Sequence, residues 1–127
     1  MLAQFAVRHE QGGSTLEDLV QDMVGVTVAN FRANVGVLRA SLQHTREGMW
    51  RVIKASGDRH RKAFVDLIAP VLDLPAPVAK MRVLFAYQAL AGVLVHATLN
   101  NPGPLELADE ALPTELVRLV HSYLVAN

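Results

Sequence analysis

Cysteine is absent from this chain of 127 residues, and neither sign of charge is in excess. Without cysteine there is no disulfide framework and no thiolate site, which is typical of a cytosolic protein. Twelve basic residues are balanced by twelve acidic ones, so the chain lacks the basic excess that predicts nucleic-acid binding. The basic residues between Arg46 and Lys62 are interrupted by acidic ones, and we interpret them as a solvated helix face. No signal peptide is expected, because residues 1–10 lack a basic start followed by a long apolar run.

Sequence motifs of catalysis and metal binding are also missing. The five histidines never lie three or four residues apart, which is the spacing that places two metal ligands on one helix face. No serine lies in a nucleophile-elbow context, and Gly12-Gly13 lacks the pattern and the basic anchor of a phosphate-binding loop. We therefore predict no enzyme activity, no metal site and no cofactor.

Period-two alternation is nowhere long enough to indicate a strand, and the pattern predicts an all-α bundle of about five to six helices. A chain of 127 residues is long enough for one domain with a single core. We expect residues 1–13 to form a short helix and a loop, and residues 14–127 to form the domain.

Glycine, proline and capping residues set the expected helix boundaries. Ser14 or Thr15 would cap the first long helix. A break is expected at Asn34, whereas a helix starting near residue 47 is expected to continue through Gly57. Pro113 suits the first turn of a last helix ending near residue 126.

The segment Val78–Leu99 is apolar on nearly every side of the helix that it would form. Its length of about 22 residues could cross a bilayer, but Gln88 and His96 argue against a membrane span because polar groups are costly in hydrocarbon. We interpret the segment as a helix buried on two sides, against its own domain and against a second surface.

Polar residues inside apolar helix stripes predict a chamber for a small molecule, because ligand pockets are mostly apolar with a few placed polar groups. The alternative is an ordinary core, in which Thr27 bonds its own helix backbone and His60 is a satisfied core histidine. The candidate ligand contacts are Met23, Thr27, Phe31, Trp50, Ile53, His60, Phe64, Phe85, Gln88 and His96.

Two faces of the Val78–Leu99 helix have different polarity, and each is assigned a role. The face with Gln88 and His96 is assigned to the chamber, because the core of an interface tends to be more apolar than its rim. The other face is assigned to a dimer contact, although the reverse assignment stays open. The candidate dimer contacts are Val83, Tyr87, Leu90, Leu94, Leu116, Leu119, Val120 and Tyr123.

Four segments together resemble the C-terminal half of a TetR-type transcriptional regulator. They are ANFRANVGVLRASLQ at 29–43, RHRKAFVDLIAPVL at 59–72, KMRVLFAYQALAGVLVHATL at 80–99 and LADEALPTELVRLVHSYL at 107–124. The resemblance includes the Arg32–Arg39 step and an acidic lead into the final helix. It implies that a small molecule binds between the long helices and that the last two helices form a four-helix interface with a second subunit.

The helix-turn-helix of such regulators is not present in this sequence, and residues 1–10 match only the tail of the helix that follows it. The resemblance thus implies a cytoplasmic homodimer that senses a small apolar or aromatic effector, contacts DNA only through the missing segment, and has no membrane contact. The chain would be a piece of a repressor or a protein that lacks the DNA reader. The alternative is a helical homodimerisation or protein-interaction module without a small-molecule ligand.

Overall fold

The computed structural model describes residues 2–9, 13–44, 47–99 and 103–126, excluding the side chains of residues 3, 6–8, 41–44, 47–50, 52 and 53. The described chain is all-α, as predicted. Its elements are α1 (Leu2–His9), α2 (Leu16–Ala33), α3 (Val35–His44), α4 (Glu47–Ile68), a 3₁₀ turn (Ala69–Val71), α5 (Ala76–Leu99) and α6 (Ala111–Val125).

Helix α2 begins at a capping box, which confirms Thr15 as the N-cap residue. The backbone N–H of Asp18 donates to Oγ1 of Thr15 over 3.1 Å, and Oδ2 of Asp18 accepts from the backbone N–H of Thr15 over 3.4 Å. The two bonds satisfy donors that have no partner within the helix. The carboxylates of Glu17 and Asp18 in the first turn also complement the positive end of the helix dipole.

The break predicted at Asn34 is present, but its side chain bonds backward. Nδ2 of Asn34 donates to the carbonyl oxygen of Asn30 over 2.9 Å, so the side chain satisfies an acceptor at the end of α2. The carbonyl oxygen of Asn34 accepts from the N–H of Leu38 over 2.9 Å, which begins the hydrogen bonding of α3. One residue therefore ends one helix and starts the next.

Helix α4 continues through Gly57, as expected, and ends where Pro70 enters a 3₁₀ turn. Proline has no backbone N–H and cannot continue the hydrogen bonding of an α-helix. A short bend at residues 72–74 follows, and α5 starts at Ala76 with Pro77 in its first turn. The fixed φ of proline suits that position.

The core lies between α2, α4, α5 and α6, and each helix contributes residues spaced three or four apart. Phe5 brings α1 into the same core, where its side chain is 2% exposed. Fully burying a large apolar side chain contributes about 1.5–3 kcal/mol, so these stripes hold the bundle together. The most enclosed side chains are Leu19, Val20, Met23, Val24, Thr27, Val28, Phe64, Ile68, Val83, Leu90, Leu94 and Val120.

Arg82 joins the start of α5 to the end of α6. NH1 of Arg82 on α5 donates to the carbonyl oxygen of Ala126, at the C-terminus of α6, over 2.8 Å. The guanidinium of Arg82 also lies 5.7 Å from the ring centroid of Tyr123. The start of α5 is thus fixed to the end of α6, and the two helices run antiparallel as a pair.

Replacing Thr15 with alanine should lower the free energy of unfolding by about 1 kcal/mol, the usual cost of losing a helix cap. Urea denaturation at one protein concentration measures the change. The control is Ser122→Ala, an exposed position on α6. Equal stability of Thr15→Ala and the wild type would contradict the role of the capping box.

Candidate functional site

One face of α5 is apolar and uncovered in the protomer. We call it the α5 stripe and define it as Val78, Met81, Phe85, Gln88, Gly92 and His96, all of which are exposed. Met81 is 53% exposed and Phe85 is 51% exposed. Their spacing of three and four residues places all six on one side of the helix. The stripe contains no lysine, arginine, aspartate or glutamate, which is unusual for a solvated helix face.

Helix α6 extends the apolar surface next to the stripe. Leu119 is 47% exposed, and the ring of Tyr123 lies 5.4 Å from the ring of Phe85 between centroids. Contiguous apolar patches rimmed by polar groups mark contact surfaces in soluble proteins. The surface formed by α5 and α6 is therefore the candidate site for contact with another protein surface.

Gly92 lies in the middle of the α5 stripe, and nothing inside the protomer requires a glycine there. A Cβ atom added to Gly92 would meet no described atom within 4 Å. Glycine in a helix interior costs about 1 kcal/mol relative to alanine. The absence of a side chain at Gly92 would allow another surface to approach the backbone of α5 closely.

An open groove of about 560 Å³ runs beside the stripe, between α4 and α5. Phe85, Gln88 and Tyr87 line it together with Arg61, whose guanidinium lies 5.8 Å from the ring centroid of Tyr87 and is ion-paired to Asp58. Most of its wall is apolar. The groove widens the apolar surface of α5 toward α4.

Burial raises the pKa of the Tyr87 phenol above its ordinary value of 10.0, and the guanidinium of Arg61 opposes this to a smaller extent. Burial removes water from the oxygen and disfavours the phenolate. The tyrosine therefore stays neutral beyond the pH at which an exposed tyrosine ionises.

Aromatic rings fill the space between α1, α4 and α5. The ring of Phe64 lies 5.1 Å from that of Phe5 and 5.8 Å from that of Tyr87, and the His60 ring lies 5.9 Å from Phe64. Such edge-on and tilted contacts are favourable beyond the area that they bury. Phe64, which is fully buried, is the centre of this cluster.

The two buried polar residues of the predicted chamber bond to their own helices. Oγ1 of Thr27 donates to the carbonyl oxygen of Met23 over 2.8 Å, as the alternative interpretation expects. Nδ1 of His60 lies 2.7 Å from the carbonyl oxygen of Ser56. Because a carbonyl oxygen only accepts, Nδ1 must carry the hydrogen of this bond. In the neutral ring Nε2 is then an acceptor, and no residue in the described ranges donates to it.

The structure places the predicted ligand contacts in two separate regions. Met23, Thr27, Phe31, His60 and Phe64 are buried. Phe85, Gln88 and His96 are exposed on the α5 stripe, on the opposite side of α5 from the core. The side chains of Trp50 and Ile53 lie outside the described part of the structure.

The predicted dimer contacts also fall into a buried group and an outward-facing group. The prediction is corrected for those on the inner face of α5, because they are buried within the protomer. Val83, Leu90 and Leu94 are at most 1% exposed, and Tyr87 is 7% exposed. These side chains form the core of the protomer, because the more apolar of the two faces gains more from burial within the chain itself. Leu116 and Val120 of α6 are enclosed in the same way. The outward-facing residues of the set are Leu119 and Tyr123, where α6 adjoins the stripe.

A buried polar network between α1 and α2 was missed by the sequence analysis. Nε2 of His9 lies 2.6 Å from Oδ2 of Asp22, and Nδ1 lies 2.5 Å from Oγ of Ser14. The His9 ring packs 5.0 Å from Phe5 and is 5% exposed. The network fixes α1 on α2. The partners are five and thirteen residues from His9, so no helical spacing reveals them.

A comparison with protein families matches residues 15–124 to the tetracyclin repressor-like C-terminal domain. The match spans α2 to α6. The chain belongs to this TetR-like family. Comparisons with curated proteins and with solved structures gave no significant match.

Membership of the TetR-like family identifies the domain as part of a transcriptional regulator. It is the effector and dimerisation part of a TetR-type transcriptional regulator, and such domains are regulatory rather than catalytic. Within the described ranges, no three histidine, aspartate or glutamate residues gather in a possible metal site. TetR-like regulators are in general soluble cytoplasmic proteins.

Helix α5 alone, among the described helices, has the length and mean hydropathy of a membrane span, with a value of 1.5 over its most apolar window. One third of that window is buried inside the protomer. The family match covers the whole of α5, so the helix is part of the TetR-like domain.

Tyr87→Phe should reduce the loss of stability at alkaline pH. Because the folded-state pKa of Tyr87 is raised, the stability contributed by its neutral form is complete below pH 10.0 and is lost as the pH rises through the folded-state pKa. The phenylalanine variant lacks this ionisation. Urea denaturation of the variant and of the wild type, well below and well above pH 10.0, measures the difference.

Proposed function

We propose that the chain is the effector-binding and dimerisation domain of a TetR-type repressor that senses a small apolar or aromatic molecule. The observation that carries this proposal is the uncovered α5 stripe on a domain of this family. TetR-family domains in general dimerise and bind small-molecule effectors. A cytoplasmic location and DNA contact through a helix-turn-helix on a preceding segment complete the proposal.

The partner that best fits the α5 stripe is a second copy of the same chain. A two-fold axis brings the same patch of each subunit together, so the patch must be complementary to itself. An uncharged apolar stripe meets this condition without like-charge repulsion. Since α6 places Leu119 and Tyr123 beside it, each copy contributes two helices and the interface is a four-helix bundle.

The exposed face of α5 replaces the inner face as the proposed dimer contact. In this proposal Met81, Phe85, Gln88 and Gly92 contact the second copy, and the inner face with Leu90 forms the protomer core. Gly92 lets the two α5 helices approach closely. The two polar side chains of the stripe, Gln88 and His96, can hydrogen-bond across the interface or at its rim.

The proposed effector site lies on the inner side, among the buried ligand candidates of α2 and α4. His60 supports it, because Nε2 is an acceptor on a side chain only 8% exposed and has no donor among the described residues. A buried acceptor without a partner costs free energy, and a ligand hydroxyl or N–H would remove that cost. The aromatic rings of Phe64 and Phe31 would supply the apolar walls.

Phe85→Glu should convert the dimer to a monomer, because the interface would bury an unpaired charge at a cost of about 3–5 kcal/mol. Sedimentation velocity at micromolar concentration measures the change. Val37→Glu is the matched control, since Val37 is 53% exposed but lies on α3 outside the stripe. Leu90→Glu should unfold the protomer instead, because Leu90 is fully buried.

A monomeric wild type at micromolar concentration would contradict the dimer, and an unchanged Phe85→Glu dimer would contradict the assigned face. These two outcomes are independent of the effector. The dimer therefore has a test of its own.

Effector binding should appear as thermal stabilisation by members of a panel of small apolar and aromatic compounds. A ligand at a hundred times its Kd stabilises by about 2.7 kcal/mol. His60→Phe keeps an aromatic side chain but removes both ring nitrogens, so it should weaken compounds with an O–H or N–H donor by about tenfold. His121→Phe on α6 is the control and should bind as the wild type.

If the panel produces no shift while the dimer is intact, the alternative holds and the chain is a homodimerisation module without a small-molecule ligand. If compounds bind but His60→Phe leaves every affinity unchanged, the effector lies elsewhere. The two results separate the existence of an effector from its location.

A further inference from the structure

A second cleft, more polar than the groove beside the α5 stripe, lies at the C-terminal end of α5. It has a volume of about 550 Å³ and is bounded by the start of α3, the last turn of α5 and the segment that leads into α6. Ligand sites for small molecules have volumes of about 300–1,000 Å³. We call it the Arg32–Arg39 cleft, after the two arginines in its wall.

Both arginines are held in place by neutral backbone oxygens. Nε and NH2 of Arg32 donate to the carbonyl oxygens of Leu107 and Asp109 over 2.7 and 2.8 Å. Nε of Arg39 donates to the carbonyl oxygen of Thr98 over 3.2 Å. These bonds fix the direction of each guanidinium, and their neutral acceptors do not cancel its positive charge.

Each guanidinium keeps unused donors. An arginine side chain has five N–H donors, of which Arg32 uses two and Arg39 uses one in the bonds above. Neither forms an ion pair with a carboxylate in the described ranges. Glu106 lines the same cleft and is the charge that would compete with an incoming anion.

We propose that the Arg32–Arg39 cleft binds a small organic carboxylate with an apolar body. The carboxylate accepts from the two guanidinium groups, whose fork of donors matches its two oxygens. The apolar body packs on Val35, Leu99 and Leu107, which line the rest of the cleft. Glu106 lines the same cleft and lowers the affinity by repelling the anion.

This site is separate from the effector site proposed between α2 and α4, and neither depends on the other. It joins α3 to the C-terminal end of α5, one of the two helices of the proposed dimer surface. A bound carboxylate therefore links the body of the domain to that surface through both arginines.

The test is titration of the intact 127-residue chain with sodium hexanoate, followed by methyl NMR, with 1-hexanol as the uncharged probe of the same chain length. Hexanoate should shift the methyl signals of Val35, Leu99 and Leu107. It should bind at least about tenfold more tightly than hexanol, because a hydrogen bond to a charged group is worth about 1.5–3 kcal/mol. Equal binding of the two probes, or shifts confined to the α5 stripe, would overturn the proposal.

Two substitutions should change hexanoate affinity in opposite directions. Arg39→Gln should weaken it by about tenfold, whereas Glu106→Gln should strengthen it by removing the competing carboxylate. The bond from the Glu106 backbone N–H to Asp109 is retained in the second variant. Arg118→Gln is the control, since Arg118 lies on α6 and pairs with Glu115.

If Arg39→Gln fails to fold, Arg39→Lys keeps the charge without the fork of donors and should weaken hexanoate to a smaller extent. Unchanged hexanoate affinity in a folded Arg39→Gln or Arg39→Lys variant would show that the arginine only secures the chain, and the proposal would be wrong. The hexanoate titration and the effector panel probe different sites, so failure of the hexanoate test leaves the proposed function intact.

Discussion

The structure depends on burial of the inner face of α5, with Val83, Leu90 and Leu94 at its centre. Every other helix of the core packs around that face or beside it. Helix α5 is apolar on nearly every side, and the protomer covers only one of its two faces. The remaining face, the α5 stripe, is exposed in the protomer, and it is the surface that the proposed second copy would cover. The proposed dimer therefore rests on the composition of one helix.

The polar contacts of the domain position its helices. His9, Asp22 and Ser14 fix α1 on α2, Arg82 joins the ends of α5 and α6, and Arg32 secures the segment between them. Each of these contacts joins two elements at a boundary. The apolar core supplies most of the stabilisation, whereas these bonds set the relative positions of helices that both proposed ligand sites share.

Much of the fold could be predicted from the sequence, because glycine, proline and capping residues mark helix ends locally. Thr15 and Asn34 are examples. The two faces of α5 were separated by helical periodicity, but the face assigned to a dimer contact is the one that the protomer buries. Periodicity gives the angle between Leu90 and Gln88 and carries no information on which neighbour each will meet. The bond from Arg32 to Leu107 spans 75 residues, and such contacts require the tertiary fold.

The exposure of the α5 stripe has a consequence for how the stability of the protein depends on its concentration. In the proposed dimer, a protomer without its partner exposes Met81 and Phe85 to water, and association adds to the stability that the core supplies. Stability then rises with protein concentration, as in other assemblies in which folding and association are linked. Dilution below the dissociation constant of the proposed dimer would therefore lower the stability of the folded chain and leave the α5 stripe in contact with water.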